Sequence, residues 1–339
     1  MNAIGFYRNL PVDDAQALVD LELPEPVPGA RDLLVEVRAV SVNPVDTKVR
    51  RHAAPPPGEA RVLGFDASGV VRAVGADVTL FKPGDAVYYA GSIARQGSNA
   101  QYQAVDERIV GRKPASLDHA HAAALPLTAI TAWELLFDRL GVAQEGGAGQ
   151  TLLVTGAAGG VGSILVQLAR QLTRLTVIGT ASRAETRAWV EALGAHHVID
   201  HSRPLGDELA RIGLQQVDYV ASLTHTHEHY DAIVEALKPQ GRLGLIDDPA
   251  TPLDVMKLKR KALSLHWEMM FARPVFETPD MIEQHKLLDE VAALIDDGTL
   301  KTTFGEHYGT IDAENLRRAH ALIESGKAKG KIVLEGFGG

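Results

Sequence analysis

The feature that most narrows the fold of this chain is an alternation that begins at Thr151. Apolar segments recur at residues 151–155, 176–180, 198–200, 217–223 and 242–246, each separated from the next by a stretch with helical spacing. Strands divided by whole helices pair in parallel, because a parallel neighbour needs a long crossover where an antiparallel one needs only a tight turn. The expectation is an α/β fold with a doubly wound parallel sheet and helices on both faces. The first helix supports it: Val161, Ile164, Leu165, Leu168, Ala169 and Leu172 fall on one stripe, while Gln167, Arg170 and Gln171 lie off it. A second helix is expected over 183–193, stopped by Gly194, with Ser182 and Glu185 spaced as a capping box. A third is expected over 227–237, ending before Pro239 and Gly241.

The flanking segments read differently. The first 120 or so residues are mainly β, with strands expected at 33–42 and 70–74 and a turn at Lys82-Pro83-Gly84-Asp85. Beyond Pro252 come a stretch containing Met and Phe, a helix near 281–295, a helix opened by Asp312 and a last strand at 331–334. A length of 339 residues has room for two domains. Acidic residues outnumber basic ones, 43 to 34, which argues against a nucleic acid or an anionic membrane as partner. The amino-terminal segment carries Asp13 and Asp14 and no continuous apolar run, and the richest apolar window, 120–133, is broken by His121 and Pro126. No spanning helix is expected, and the expected location is cytoplasmic. With no cysteine in the chain, disulfides, thiolate nucleophiles and cysteine-ligated metal sites are excluded.

Between the first strand and the first helix of the alternation lies Thr155-Gly156-Ala157-Ala158-Gly159-Gly160-Val161-Gly162, with glycines three apart at 156, 159 and 162. Small residues there let the backbone approach a dinucleotide pyrophosphate, which would rest on exposed N–H groups at the helix start. The end of the second strand, Gly179-Thr180-Ala181-Ser182-Arg183, lacks the acid that binds the ribose hydroxyls of NAD. Ser182 and Arg183 instead suit the 2′-phosphate of NADP(H), a charge-assisted bond being worth about 1.5 to 3 kcal/mol. A helix cap at Ser182 and a solvated Arg183 are the plainer alternatives. His225, His227 and His229 alternate in one segment and could chelate a metal if extended. A helix starting there would separate them, leaving a polar loop, and no metal is expected.

Several motifs in order carry a family resemblance: residues 41–48 (Ser-Val-Asn-Pro-Val-Asp-Thr-Lys), 64–69 (Gly-Phe-Asp-Ala-Ser-Gly) with Gly84-Asp85, the glycine turn, and 330–334 (Gly-Lys-Ile-Val-Leu). The chain resembles the medium-chain dehydrogenase/reductase superfamily, in its quinone oxidoreductase branch often labelled zinc-type alcohol dehydrogenase-like. The resemblance implies a GroES-like distorted β-barrel catalytic domain over 1–122 and 265–339, a Rossmann NADP(H)-binding domain over 123–264, and a cleft between them. It places His201 near the adenosine phosphate and Leu223, Thr224, Leu245, Ile246 and Phe271 along the cofactor, with Gly330 and Lys331 reaching it from the carboxy-terminal segment. It also implies a homodimer paired through edge strands. Zinc-dependent relatives place a Cys near Asn43, a His near Phe65 and a Cys or Asp within 125–128, and this sequence has none of these ligands.

Hydride transfer without a metal depends on positioning and on stabilising a developing oxyanion. Asn43, Lys48 and Thr128 are candidates for orienting an acceptor oxygen, with Asp46 fixing the neighbouring loop. A plain turn at Asn43-Pro44 and an Asp46 pair with Lys48 or Arg50 remain open. Asp66 is expected to pair with an Arg. Trp267, Phe271 and Phe276 suit a dimer seam, a substrate wall or core. The function expected is zinc-independent transfer of a hydride from NADPH to a quinone or an activated alkene or carbonyl, a small-molecule electron acceptor. A zinc-type alcohol dehydrogenase and a non-catalytic NADPH-binding protein are the alternatives.

Overall fold

The computed structural model describes residues 1–338, and the chain divides into two compact units, Met1–Ile130 with Phe271–Gly339, and Thr131–Met270. Both crossings fall later in the chain than the 122/123 and 264/265 joints drawn from the resemblance. Residues 123–130 stay with the first unit, where the helix Pro126–Trp133 begins and Leu127 is tied to Asp66.

The first unit is built on a sheet ordered Phe304–His307, Lys331–Glu335, Asp32–Val42, Ala67–Val74, Ala86–Tyr89 and Val110–Arg112, with Tyr102–Asp106 also paired to Asp32–Val42. The eleven-residue strand Asp32–Val42 is buried over most of its length. It carries register shifts at Leu34/Val35 and Val37/Ala39, and such irregularities bend a strand enough to serve several neighbours. Its far end pairs antiparallel with the carboxy-terminal strand, Ile332 opposite Val42 and Glu335 opposite Ala39. That register sets Lys331 beside Asn43. A smaller sheet joins Val19–Glu22, Asn2–Phe6 and Arg61–Val62.

Directly after the long strand the chain turns into the helix Pro44–His52, so Asn43-Pro44 opens a helix and is not a plain turn. The local sequence explains it. Asn43 is an extended N-cap and Pro44 is preset for the first turn, while Arg50, Arg51 and His52 sit at the negative end of the helix dipole. Arg50 is fully buried, donating to Leu10 O at 2.7 Å and pairing with Glu324.

The second unit holds six parallel strands in the order His197–Ile199, Thr176–Thr180, Thr151–Val154, Val217–Ser222, Leu237–Leu245 and Ser264–Trp267. Counted along the chain from Thr151 this is 3-2-1-4-5-6, the order of a Rossmann sheet, and its switch point lies between the first and fourth strands. The fold is therefore α/β, comprising a Rossmann unit and a GroES-like unit. Ile178, Leu153, Val220 and Leu243 are fully buried members of one core cluster.

Two local expectations are corrected. The second helix spans Ala184–Ala192 with Arg183 at its N-cap, and no side chain caps it, so the Ser182/Glu185 capping box does not form. The cause is sheet pairing: Ala181 N donates to Ile199 O at 2.9 Å, holding the chain extended past Thr180 and leaving Ser182 one residue too early to cap. The third helix spans Thr226–Ala236, and the strand after it starts at once, at Leu237. The helix ends before Pro239, which lies inside the strand, and the strand turns through Gln240 at a left-handed φ of 65°.

Among the described residues one helical run, His119–Arg139, is long and apolar enough to cross a membrane. Most of it is buried within the fold, as a core helix would be.

Candidate functional site

In the Rossmann unit the glycine turn leaves the strand Thr151–Val154 and enters the helix Gly160–Leu172. Gly156 takes a left-handed φ of 64°, a conformation in which glycine bears no steric cost. Thr180 Oγ1 accepts from Gly156 N at 3.2 Å, and Thr155 Oγ1 accepts from Leu223 N at 3.0 Å, so the turn is tied to the loops after the second and fourth strands. The helix that follows has Gly159 as N-cap and no side-chain cap. Its first-turn amides, from Gly160, Val161 and Gly162, are therefore not answered by a capping side chain, the condition under which a helix start receives an anion. These features fit a dinucleotide pyrophosphate.

Around this turn the structure gathers the residues named from the sequence at the carboxyl ends of neighbouring strands. Strand register sets Thr180 beside Ile199 and Ser222 beside Leu245, so the loops bearing Ser182 and Arg183, His201, Leu223 and Thr224, and Ile246 leave the same sheet edge. Thr224 is packed so near the turn that a Cβ on Gly156 would lie 2.9 Å from its Cγ2. Ser182, Arg183 and His201 are exposed, and Arg183 lies 3.5 Å from Glu185. Partial desolvation lowers the pKa of His201; His229 and His225 add to the effect and Asp200 opposes it. His225 occupies a left-handed N-cap with its Nδ1 2.7 Å from Thr224 Oγ1, while His227 and His229 lie on the helix that follows. The segment is not extended, and among the described residues no three His, Cys, Asp or Glu side chains converge as a metal site.

The catalytic candidates lie in the other unit, around a buried carboxylate. Asp66 Oδ2 accepts from Ser41 Oγ at 2.9 Å, Asn43 Nδ2 at 2.7 Å and Lys331 Nζ at 2.8 Å, and Asp66 Oδ1 accepts from Leu127 N at 2.7 Å. The expected Arg partner of Asp66 is thus replaced by Lys331, which also donates to Asn43 Oδ1 and, at 3.2 Å, to Val42 O. Three bonds employ all three ammonium hydrogens, and the backbone N–H of Lys331 is bonded to Thr303 O at 2.9 Å.

Asp46 is also buried but takes no part in that ion pair. Its Oδ2 accepts from Asn43 N at 2.8 Å, the returning half of a capping box, and its Oδ1 accepts from Gly64 N at 3.0 Å. Neither Lys48 nor Arg50 was needed to satisfy it. Burial pushes its pKa up to about 7, against the pull of the Asn43 amide and the Lys331 cation. Thr128 is buried and donates to Leu125 O at 3.0 Å, so its hydroxyl retains acceptor capacity. Lys48 is half-buried on the helix Pro44–His52. Phe271 is buried and meets Phe65 edge to face, ring centroids 5.4 Å apart. Phe276 is exposed, as is Trp267 in the Rossmann unit.

Sequence reasoning missed Ser41 and the Lys331–Asp66 pair. The cap at Asn43 had a signal, Asn-Pro-x-Asp, with Pro at the first helical position and an acid at the third. The donor set does not suit zinc: an amide stands at Asn43, a hydrocarbon ring at Phe65, the ammonium of Lys331 already neutralises Asp66, and both oxygens of Asp46 accept backbone N–H bonds.

Comparison with known proteins agrees with this architecture. Residues 29–115 match the alcohol dehydrogenase GroES-like domain and residues 193–334 match the zinc-binding dehydrogenase family. The zinc-type alcohol dehydrogenase-like protein SAS2087 of Staphylococcus aureus (strain MSSA476) is 41% identical over 336 residues, covering 98% of this chain and 99% of that one. Among solved structures, a putative zinc-dependent alcohol dehydrogenase from Rhizobium etli CFN 42 is 58% identical with a TM-score of 0.96, covering 100% of this chain and 98% of that one. The quinone oxidoreductase of Escherichia coli, complexed with NADPH, is 25% identical with a TM-score of 0.84, covering 99% of this chain and 100% of that one. With identity of this order along nearly the full length of both chains, the protein belongs to the zinc-type alcohol dehydrogenase-like proteins of the medium-chain dehydrogenase/reductase superfamily of oxidoreductases.

Proposed function

We propose that this protein is an NADPH-dependent reductase of quinones or activated alkenes and carbonyls, working without zinc. The observation that carries the reading is the chemistry of the Asp66 cluster, where Lys331 supplies the positive charge beside Asn43 that a metal would otherwise supply. Quinones and enones accept a hydride without the Lewis-acid activation that an unactivated alcohol needs. NADPH supplies that hydride when bound.

The Rossmann unit holds the pyrophosphate on the amides of Gly160–Gly162, with Thr155, Gly156, Ala158 and Gly159 allowing close approach. Arg183 and Ser182 take the 2′-phosphate, with His201 close to it, and Leu223, Thr224, Leu245 and Ile246 line the cofactor. On the acceptor side Asn43 donates to the substrate oxygen, Asp46 holds Asn43 and Gly64 in place, Lys48 supplies a proton and Thr128 helps to orient the acceptor. The likeness to a quinone oxidoreductase complexed with NADPH supports the choice of both cofactor and acceptor. We also infer a homodimer, paired through the outer edge of Ser264–Trp267, where Trp267 and Met269 are exposed.

A panel of quinones, enones and alcohols, assayed with NADPH and with NADH, with and without chelator, tests the reading. Chelator-resistant reduction of a quinone or enone by NADPH is expected. Alcohol oxidation with NAD alone, abolished by chelator, overturns it.

A further inference from the structure

A side-chain amide has two orientations, related by a half-turn that exchanges its oxygen and its nitrogen, and in most sites either can find partners. At Asn43 only one can. The ammonium of Lys331 is a donor with no acceptor, and it faces Oδ1. Asp66 receives four donors, from Ser41, Asn43, Lys331 and Leu127, so it acts purely as an acceptor, and it faces Nδ2 at 2.7 Å. A half-turn of the amide would set N–H against ammonium and oxygen against carboxylate, losing both bonds in a place where Asn43, Asp66 and Lys331 are all buried. The backbone of Asn43 is held as well, its N–H bonded to Asp46 Oδ2 at 2.8 Å.

We propose that Lys331 and Asp66 are positioning residues that fix the Asn43 amide in one orientation, with its nitrogen as the donor offered to the acceptor. One lone pair of Oδ1 and one Nδ2 hydrogen are engaged by the clamp, and the second Nδ2 hydrogen is the donor that the side chain has left to offer. Such a hydrogen meets an acceptor through a lone pair, as on a carbonyl or quinone oxygen. The catalytic part of this inference rests on the reductase reading above, whereas the clamp itself does not.

Substituting Lys331 alone strands a buried carboxylate, so the test uses the paired variant Asp66→Asn with Lys331→Met, which removes both charges and gives position 66 an amide able to donate as well as accept. The expected result is a folded protein whose NADPH affinity stays within about twofold, whose kcat falls about tenfold or more, and whose KM changes little. In an Asn43→Ala background the same two substitutions then cost less than about twofold, because the group they position is gone. Parental kcat in the paired variant, or the same tenfold loss without Asn43, overturns the proposal. Side-chain amide hydrogen exchange on the parent, with the Asn43 signal assigned through Asn43→Ala, reads the clamp without turnover. Strong protection of the Asn43 Nδ2 hydrogens is expected, and exchange at the rate of a free side-chain amide overturns the clamp even if the paired variant fails to fold. A parent that reduces no quinone or enone removes the reductase reading, while the exchange measurement still decides the clamp.

Discussion

Gly162 lies so close to Gly156 that a Cβ on the first would stand 2.4 Å from the carbonyl oxygen of the second and 2.6 Å from Ala157 Cα. Both obstacles are backbone, with no flexible side chain to give way. The helix Gly160–Leu172 can thus meet the turn only if residue 162 has no side chain, and the approach that shapes the anion site depends on it.

Gly162→Ala should therefore lower stability by about 1 to 3 kcal/mol and weaken NADPH binding at least tenfold. Gly206, in the helix Leu205–Arg211, has open space around its missing Cβ, and Gly206→Ala should leave binding unchanged while raising stability by up to about 1 kcal/mol. Thermal melts and fluorescence titration with NADPH check both, and equal behaviour of the two variants would contradict the packing argument.

In the proposed reading Arg183 selects the cofactor; its backbone occupies the N-cap while its side chain is exposed. Arg183→Ala removes a guanidinium without disturbing a side-chain cap, since none is made there. NADPH affinity should drop about ten- to hundredfold while NADH affinity stays within about twofold. Parallel losses for the two cofactors would place the 2′-phosphate elsewhere.

Two buried groups give the stability opposite pH slopes. Asp46, pushed up to about 7 chiefly by burial, keeps a proton that the unfolded chain releases near pH 4. Its contribution is full below about pH 4 and is lost as pH rises through about 7. His320, pushed down to about 3 by burial and then by the charge of Arg50, stays neutral where the unfolded chain takes up a proton. Its contribution is full above about pH 6.5 and is lost as pH falls through about 3. Between about pH 4 and 6.5 the two slopes oppose each other. Asp46→Asn should leave a variant that loses stability toward acid more steeply than the parent, and His320→Leu one that gains toward acid. His320 has both ring nitrogens buried without a hydrogen-bond partner, so its replacement should cost little at pH 8. Denaturant midpoints at several pH values check this, and profiles parallel to the parent would rule out the assignment.

Trp267 and Met269 expose about half their surface at the unpaired edge of the six-stranded sheet. If that edge pairs with a second copy, Trp267→Lys with Met269→Glu should yield a monomer that keeps its NADPH affinity. Sedimentation of parent and variant decides, and a monomeric parent or an unchanged dimeric variant would exclude this seam.

Local sequence determined the parallel alternation, the glycine turn and the helix after it, because side-chain periodicity and glycine spacing act over a few neighbouring residues. It also contained the helix start at Asn43-Pro44-Val45-Asp46, although the signal read only as a turn. Tertiary structure decided the partner of Asp66. Lys331 lies 265 positions away and reaches it because the last strand pairs antiparallel with Asp32–Val42. It likewise moved the helix cap from Ser182 to Arg183, through a bond between Ala181 and Ile199 in neighbouring strands. Charge compensation and sheet pairing are set by which strands become neighbours and in what register, and a short window of residues does not contain that information.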